Sequence, residues 1–110
     1  MIIRVWHAAT TPTKERHYLD IVRRVVLPHF ETMEGYRGAF FTVRTDGDLR
    51  RYTVLTYWTS MADVDRLTDG DVDHAFVPDE IRRTLEQADE TVEHSEVVIA
   101  HAIDRLPEHA

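Results

Sequence analysis

The side chains of this 110-residue chain that best suit proton transfer are histidines, since it has no cysteine. The ordinary pKa of histidine lies near neutrality, so it can act as a general base at physiological pH. His7 lies late in an apolar N-terminal segment, and His74 follows a glycine-containing break. We interpret both as candidate catalytic bases. The alternatives are a hydrogen-bonded structural histidine at a strand end for His7 and a solvated loop residue for His74.

Aromatic side chains supply candidate contacts to a ligand. Trp58, Tyr57 and Phe40 have flat faces on which an aromatic molecule can stack. His29 lies on the apolar side of a predicted helix and is a candidate for the same pocket. The alternative is that at least two of the three aromatic residues belong to the ordinary core, and that His29 stabilises the C-terminal end of its helix.

Several other kinds of site are excluded or disfavoured. Without cysteine there are no disulfides, thiolate nucleophiles, iron–sulfur clusters or cysteine-rich zinc sites. The sequence has no H-E-x-x-H metal motif, no glycine-rich nucleotide loop and no G-x-S-x-G motif. A formal net charge of −7 disfavours contact with a phosphate backbone. We therefore predict no metal site and no nucleic-acid partner.

Length and hydropathy indicate one domain. We assign residues 1–103 to that domain and residues 104–110 to a loose polar tail. The N-terminus lacks the basic start and the long apolar stretch of a signal peptide. No apolar run reaches the length that spans a bilayer. The sequence therefore predicts a cytoplasmic protein without a membrane partner.

The elements that would position these side chains follow from periodicity and turn signals. Thr11 is placed to cap a first helix, Asp46-Gly47 to turn a hairpin, and Ser60 to cap a second helix. The predicted strands cover 2–9, 36–45, 49–58 and 91–102, and the predicted helices cover 12–29, 60–69 and 78–90. The order of elements is strand, helix, strand, strand, helix, strand, which is the ferredoxin-like βαββαβ pattern. It predicts an α+β protein with an antiparallel four-stranded sheet and helices on one face.

The two faces of that sheet are both apolar. Alternation places Ile3, Val5 and His7 on one face of the first strand and Trp6 on the other. If the pocket faces the helices, the Ile3 face is a candidate lining for it. A face left open to water would then be an unusually large apolar patch, which a homodimer with packed sheets would cover. The alternative is a single open sheet with scattered aromatic residues.

Short segments between residues 2 and 100 carry a family resemblance. They are Ile3-Arg4-Val5-Trp6 with Thr11-Pro12, Val26-Leu27-Pro28, Glu34-Gly35-Tyr36-Arg37-Gly38, Leu55-Thr56-Tyr57-Trp58-Thr59-Ser60, Val77-Pro78 and Val92-Glu93-His94. Through them the chain resembles the antibiotic biosynthesis monooxygenase family of dimeric α/β barrels. The resemblance implies a homodimer with a pocket between sheet and helices in each subunit.

Two kinds of chemistry are implied by that resemblance. Some members oxidise polycyclic phenols to quinones without a cofactor, and others degrade haem. Haem degraders resemble one another in an asparagine late in the first strand, a tryptophan in the second helix and a histidine about ten residues later. The corresponding positions here are His7, Leu67 and Phe76 or Val77, and His74 is the nearest histidine. None of the three matches.

We therefore expect a monooxygenase that oxidises a hydrophobic aromatic substrate, phenolic or polycyclic, with molecular oxygen and no bound cofactor. An apolar pocket with one base suffices, because a phenolate can pass an electron to oxygen without metal or flavin. His7 or His74 would be the base, and Trp58 and Tyr57 would shape the pocket. The alternatives are a non-catalytic small-molecule-binding or stress-related dimer of the same fold and, less favoured, a haem-degrading monooxygenase.

Overall fold

The computed structural model describes residues 1–107. Its strands and helices in chain order are β1 (Ile2–Thr10), α1 (Pro12–Ile21), α2 (Leu27–Glu31), β2 (Tyr36–Asp46), β3 (Leu49–Trp58), α3 (Met61–Thr68), α4 (Asp79–Arg82), β4 (Gln87–Ala88) and β5 (Glu93–Glu96). A π-helical segment (Val22–Val26) joins α1 to α2, and a short 3₁₀ turn covers Ile103–Arg105.

The strands form one antiparallel sheet in the order β2-β3-β1-β4. The central strand β1 pairs with β3 along its whole length, from Ile2 opposite Trp58 to Thr10 opposite Arg50. Its other edge pairs with β5 at residues 2–5 and with β4 at residues 8–9. The β4 and β5 strands are therefore two pieces of one edge. This topology confirms the predicted ferredoxin-like α+β fold.

The first helical stretch is longer than predicted, and it continues past Pro28. Thr11 caps its start, where the side-chain oxygen accepts the Lys14 backbone N–H at 3.3 Å. Proline cannot donate a hydrogen bond within a helix and crowds the preceding turn. The wider π-helical turn just before it, in which the Leu27 N–H bonds to the Val22 carbonyl, accommodates the ring. The helix therefore ends at Glu31 rather than near 29.

The predicted helix at 78–90 and strand at 91–102 were wrong in their extents. The helix stops at Arg82, because the chain turns toward the free edge of β1, where the Glu86 N–H donates to the Ala9 carbonyl at 2.8 Å. The edge strand is then interrupted, because residues 90–92 pair with residues 73–75 instead of with β1. Residues 97–102 form no regular element. Tertiary pairing has here overridden the local pattern.

Helices cover only one face of the sheet. In β1 that face carries Arg4 and Trp6, and in β3 it carries Tyr52, Val54 and Trp58. Together with side chains from the helices they form the core, whose largest fully buried members include Trp58 and Tyr18. The opposite, open face holds a second set of apolar side chains, Ile3, Val5, Phe40, Leu55 and Tyr57. The predicted homodimer through that face stays a prediction.

No helix in residues 1–107 is long and apolar enough to cross a membrane. The expected cytoplasmic location and the domain boundary at residue 103 stay predictions. Of the predicted tail, residues 108–110 lie outside the described part of the chain.

Candidate active site between the sheet and the helices

An apolar pocket lies between the helix-covered face of the sheet and the first helical stretch. The sheet contributes Trp6, Phe41 and Val54 to its wall, and the helical side contributes Val22 and Val26. Its volume is about 50 Å³, enough for a water molecule or two. Sites for drug-sized ligands measure roughly 300–1,000 Å³. An aromatic ligand therefore needs side chains at the mouth to move.

Arg4 is the only charged side chain among the described residues that line this pocket. It is buried, and its guanidinium donates from Nη1 to the Val72 carbonyl at 2.7 Å and from Nη2 to the His74 carbonyl at 2.6 Å. Burial lowers the pKa of Arg4 to about 10, an effect that the Asp73 carboxylate opposes. The side chain therefore remains a cation at neutral pH and fixes the backbone of residues 72–74 against β1.

His94 on β5 completes the surroundings of Arg4. Its Nε2 lies 2.9 Å from Arg4 Nη1, and its Nδ1 lies 3.9 Å from an Asp73 carboxylate oxygen. Burial, and then the neighbouring Arg4 charge, lower the pKa of His94, whereas Asp73 raises it. A neutral ring is the form that can accept a hydrogen bond from the guanidinium, so Nε2 is the acceptor and Nδ1 carries the proton toward Asp73.

Tyr18 on α1 contributes a buried phenol to the wall of the same pocket. Only 1% of this residue is exposed, and its hydroxyl makes no hydrogen bond within residues 1–107. Burial raises the pKa of Tyr18, so the hydroxyl keeps its proton and remains a donor. Its ring packs edge-to-face on Tyr52, with centroids 4.9 Å apart. The Tyr52 hydroxyl, in contrast, donates to Glu15 Oε2 at 2.6 Å.

Phe76 is the most exposed of the residues that line the pocket, so we infer that it marks the mouth. It lies in the loop between α3 and α4, is 38% exposed, and stacks on the His29 ring with centroids 5.3 Å apart and an interplanar angle of 25°. His74, two residues earlier, has an exposed side chain. The predicted candidate His29 thus lies beside the aromatic side chain that would have to move to admit a ligand, whereas His74 is close to that side chain in the sequence and does not line the pocket.

The predicted candidates His7, Tyr57 and Phe40 lie on the opposite, open face. His7 is exposed, with Nδ1 at 3.2 Å from the Thr53 hydroxyl, and the Tyr57 and Phe40 rings meet edge-to-face at 5.8 Å. The expectation that the His7 face lines the helix-side pocket was wrong. Both faces are apolar, so alternation separates them without showing which one the helices cover.

Trp58 is a core residue. It is fully buried, its indole N–H donates to the Thr56 hydroxyl at 2.8 Å, and its ring packs edge-on against Phe30 and Tyr36. It does not line the pocket described above. Trp58 therefore follows the alternative interpretation of a core side chain, whereas Tyr57 and Phe40 lie outside this core on the open face.

Sequence reasoning did not select Arg4 or Tyr18. A signal was available for Arg4, because it is a lone charge within an apolar strand and shares a face with Trp6. Tyr18 lies on the apolar stripe of the first helix, where a phenol looks like an ordinary core residue. Within residues 1–107, no group of three or more acidic or histidine side chains is arranged to hold a metal ion.

Comparison with known proteins supports this architecture. The chain matches the structure of the haem degrader MhuD from Mycobacterium tuberculosis with two haems in its active site at 20% identity and a TM-score of 0.54, over 91% of this chain and 98% of that chain. An arginine-to-serine mutant of MhuD with two manganese protoporphyrin IX molecules per active site matches at 20% identity and a TM-score of 0.55, over 91% and 97%. These likenesses show a shared fold.

At the sequence level, no curated protein is significantly similar. The model of a family described as antibiotic biosynthesis monooxygenase matches residues 1–79. That match supports a monooxygenase-type function, and it covers more than half of the chain. The chain therefore belongs to the antibiotic biosynthesis monooxygenase family.

Proposed function

We propose that this protein is a monooxygenase that oxidises a flat, hydrophobic, phenolic molecule bound between the sheet and the helices. The observation that carries the proposal is the apolar pocket with a single buried cation, Arg4. Membership of the antibiotic biosynthesis monooxygenase family supports the reaction type. The substrate enters when Phe76 leaves His29, because the closed pocket is too small for it.

The residues suit oxidation through a phenolate. A guanidinium in an apolar pocket favours the anion of a bound phenol, because charge interactions strengthen where water is excluded. The phenolate passes an electron to oxygen, and the two radicals combine at an activated ring carbon. A CH₂ group there becomes C=O, and the second oxygen atom leaves as water with both hydrogens. We assign the proton acceptor to His74 rather than His7, because the sheet separates His7 from the pocket.

Oxygen uptake tests this proposal. The protein is mixed in air with anthrone-type tricyclic phenols, and oxygen consumption is followed with an electrode. We expect Arg4→Gln to abolish most of the uptake and the matched control Arg23→Gln, at an exposed helical position, to retain it. Circular dichroism and thermal unfolding show whether Arg4→Gln is still folded. Wild-type uptake no faster than the buffer blank refutes the proposal.

Haem degradation is the second candidate. The observation that favours it is the exposed His74, two residues before the pocket residue Phe76, in a fold shared with MhuD structures that hold haem or manganese protoporphyrin IX in the active site. Haemin titration followed by absorbance tests it. A Soret shift that His74→Ala removes and His101→Ala retains supports this candidate, since His101 lies outside the pocket. An unshifted Soret band in the wild-type protein eliminates it.

We also propose the homodimer through the open sheet face. Phe40 is 40% exposed there and packs against Tyr57, so this face presents aromatic side chains that a second copy could cover. Light scattering gives the mass in solution. A 12.8 kDa species at micromolar concentration contradicts the dimer, whereas a dimer that Phe40→Asp dissociates supports it.

A further inference from the structure

We infer that the Tyr18 hydroxyl is a ligand-binding group that, together with Arg4, selects aromatic molecules carrying an anionic oxygen. The inference rests on the proposed function only in using the same pocket, and it requires no turnover. Tyr18 is thereby a specificity-determining residue, and the ligand class is an aromatic phenolate or carboxylate rather than a neutral hydrocarbon.

The Tyr18 hydroxyl is the first observation behind this inference. It is buried and without a hydrogen-bond partner in residues 1–107, although its residue lines the pocket. An unpaired buried hydroxyl destabilises a fold, so a group of this kind usually has a partner. Tyr52, whose ring packs against Tyr18, has such a partner in Glu15. An oxygen atom of a bound ligand is the partner that fits Tyr18.

The second observation is the charge in the same pocket. The terminal nitrogens of Arg4 make three hydrogen bonds, to two backbone carbonyls and to His94. A guanidinium has five N–H donors, so donors remain for a ligand oxygen. No carboxylate of the described residues lines the pocket, and the remaining walls are almost entirely apolar. A cation and a hydroxyl donor in such surroundings favour an anionic oxygen.

Selectivity follows from the same geometry. A ligand with an anionic oxygen offers an acceptor to the Tyr18 hydroxyl and a counter-charge to Arg4, whereas a neutral hydrocarbon offers neither. Sites built to hydrogen-bond a ligand reject analogues that lack the bonding group far better than apolar pockets reject a difference in size. The pocket is therefore expected to discriminate by oxygen rather than by ring area.

Calorimetric titration of the intact protein tests the inference with three probes of one ring size: 2-naphthol, 2-naphthoate and naphthalene. Tyr18→Phe and Tyr52→Phe are a matched pair, because each removes one hydroxyl from two rings in contact. We expect Tyr18→Phe to weaken the better oxygenated probe about tenfold or more and to leave naphthalene and the melting temperature unchanged or higher. Tyr52→Phe should lower the melting temperature and leave the affinities unchanged. Whether 2-naphthol or 2-naphthoate binds more tightly shows whether the pocket prefers a phenolate or a carboxylate.

Several results would overturn the inference. One is that the wild-type protein binds none of the three probes, or binds all three with equal affinity. Another is that Tyr18→Phe binds the probes with the same affinities as the wild-type protein. A lowered melting temperature for Tyr18→Phe with unchanged affinities would mean that the hydroxyl serves a structural water. Oxygen uptake without probe selectivity would leave the proposed function standing and remove this inference. Probe selectivity without oxygen uptake would support this inference and remove the proposed function.

Discussion

Gly35, in the turn before β2, offers the sharpest stability test of the structure. It has φ of +86°, and a Cβ atom added there would overlap the carboxyl group of Asp63. That carboxylate caps α3: it accepts the Ser60 backbone N–H at 3.0 Å and the Ser60 hydroxyl at 3.1 Å, and it pairs with Arg66. Gly35→Ala therefore strains the backbone and displaces a cap, and α3 supplies Leu67 to the pocket wall.

The magnitude follows from three contributions. A left-handed alanine costs about 1 kcal/mol. Loss of the N-terminal cap costs about 1 kcal/mol. Displacing a buried carboxylate from its hydrogen bonds adds roughly 1–2 kcal/mol. We therefore expect Gly35→Ala to lower the free energy of unfolding by about 3–4 kcal/mol, a fall in melting temperature of about 10–20 °C for a domain of this size.

The matched control is Gly70→Ala. Gly70 has nearly the same backbone, φ of +91°, but nothing lies within 4 Å of an added Cβ. Only the backbone strain remains, so we expect a loss of about 1 kcal/mol. Urea and thermal unfolding followed by circular dichroism measure both variants. Equal losses in the two variants would refute the account of Asp63 as a cap that only glycine can approach.

Three other outcomes are expected. Tyr52→Phe removes the hydroxyl that donates to Glu15, so the free energy of unfolding in urea should fall by about 1–2 kcal/mol, and an unchanged value contradicts this hydrogen bond. Phe76→Ala removes the ring stacked on His29, so bound 2-naphthol should dissociate several-fold faster in stopped-flow experiments, and a slower rate counts against the mouth assignment. The folded-state pKa of His94 lies below its ordinary value of 6.5, so the unfolded chain binds more protons near that pH. The free energy of unfolding should therefore fall as the pH drops through 6.5 toward the folded-state pKa, and His94→Gln should flatten that part of the profile.

The order of elements was determined by the sequence. Apolar periodicity and the signals at Thr11, Asp46-Gly47 and Ser60 located the first helix, the β2–β3 hairpin and α3, because caps and hairpin turns depend on residues within a few positions. The ferredoxin-like topology follows from that order. The C-terminal part was not predictable in this way. Its helix ends where Glu86 meets the edge of β1, a contact between residues far apart in the chain.

The site, in contrast, was decided by tertiary structure. Strand alternation placed Arg4 and Trp6 on one face of β1 and His7 on the other. Because both faces are apolar, this pattern does not indicate which face the helices cover. Only the packing of α1 on the sheet brings Tyr18 and Arg4 into the wall of the same pocket. The physical reason is that alternation is a property of one strand, whereas a pocket exists only where separate elements leave space between them.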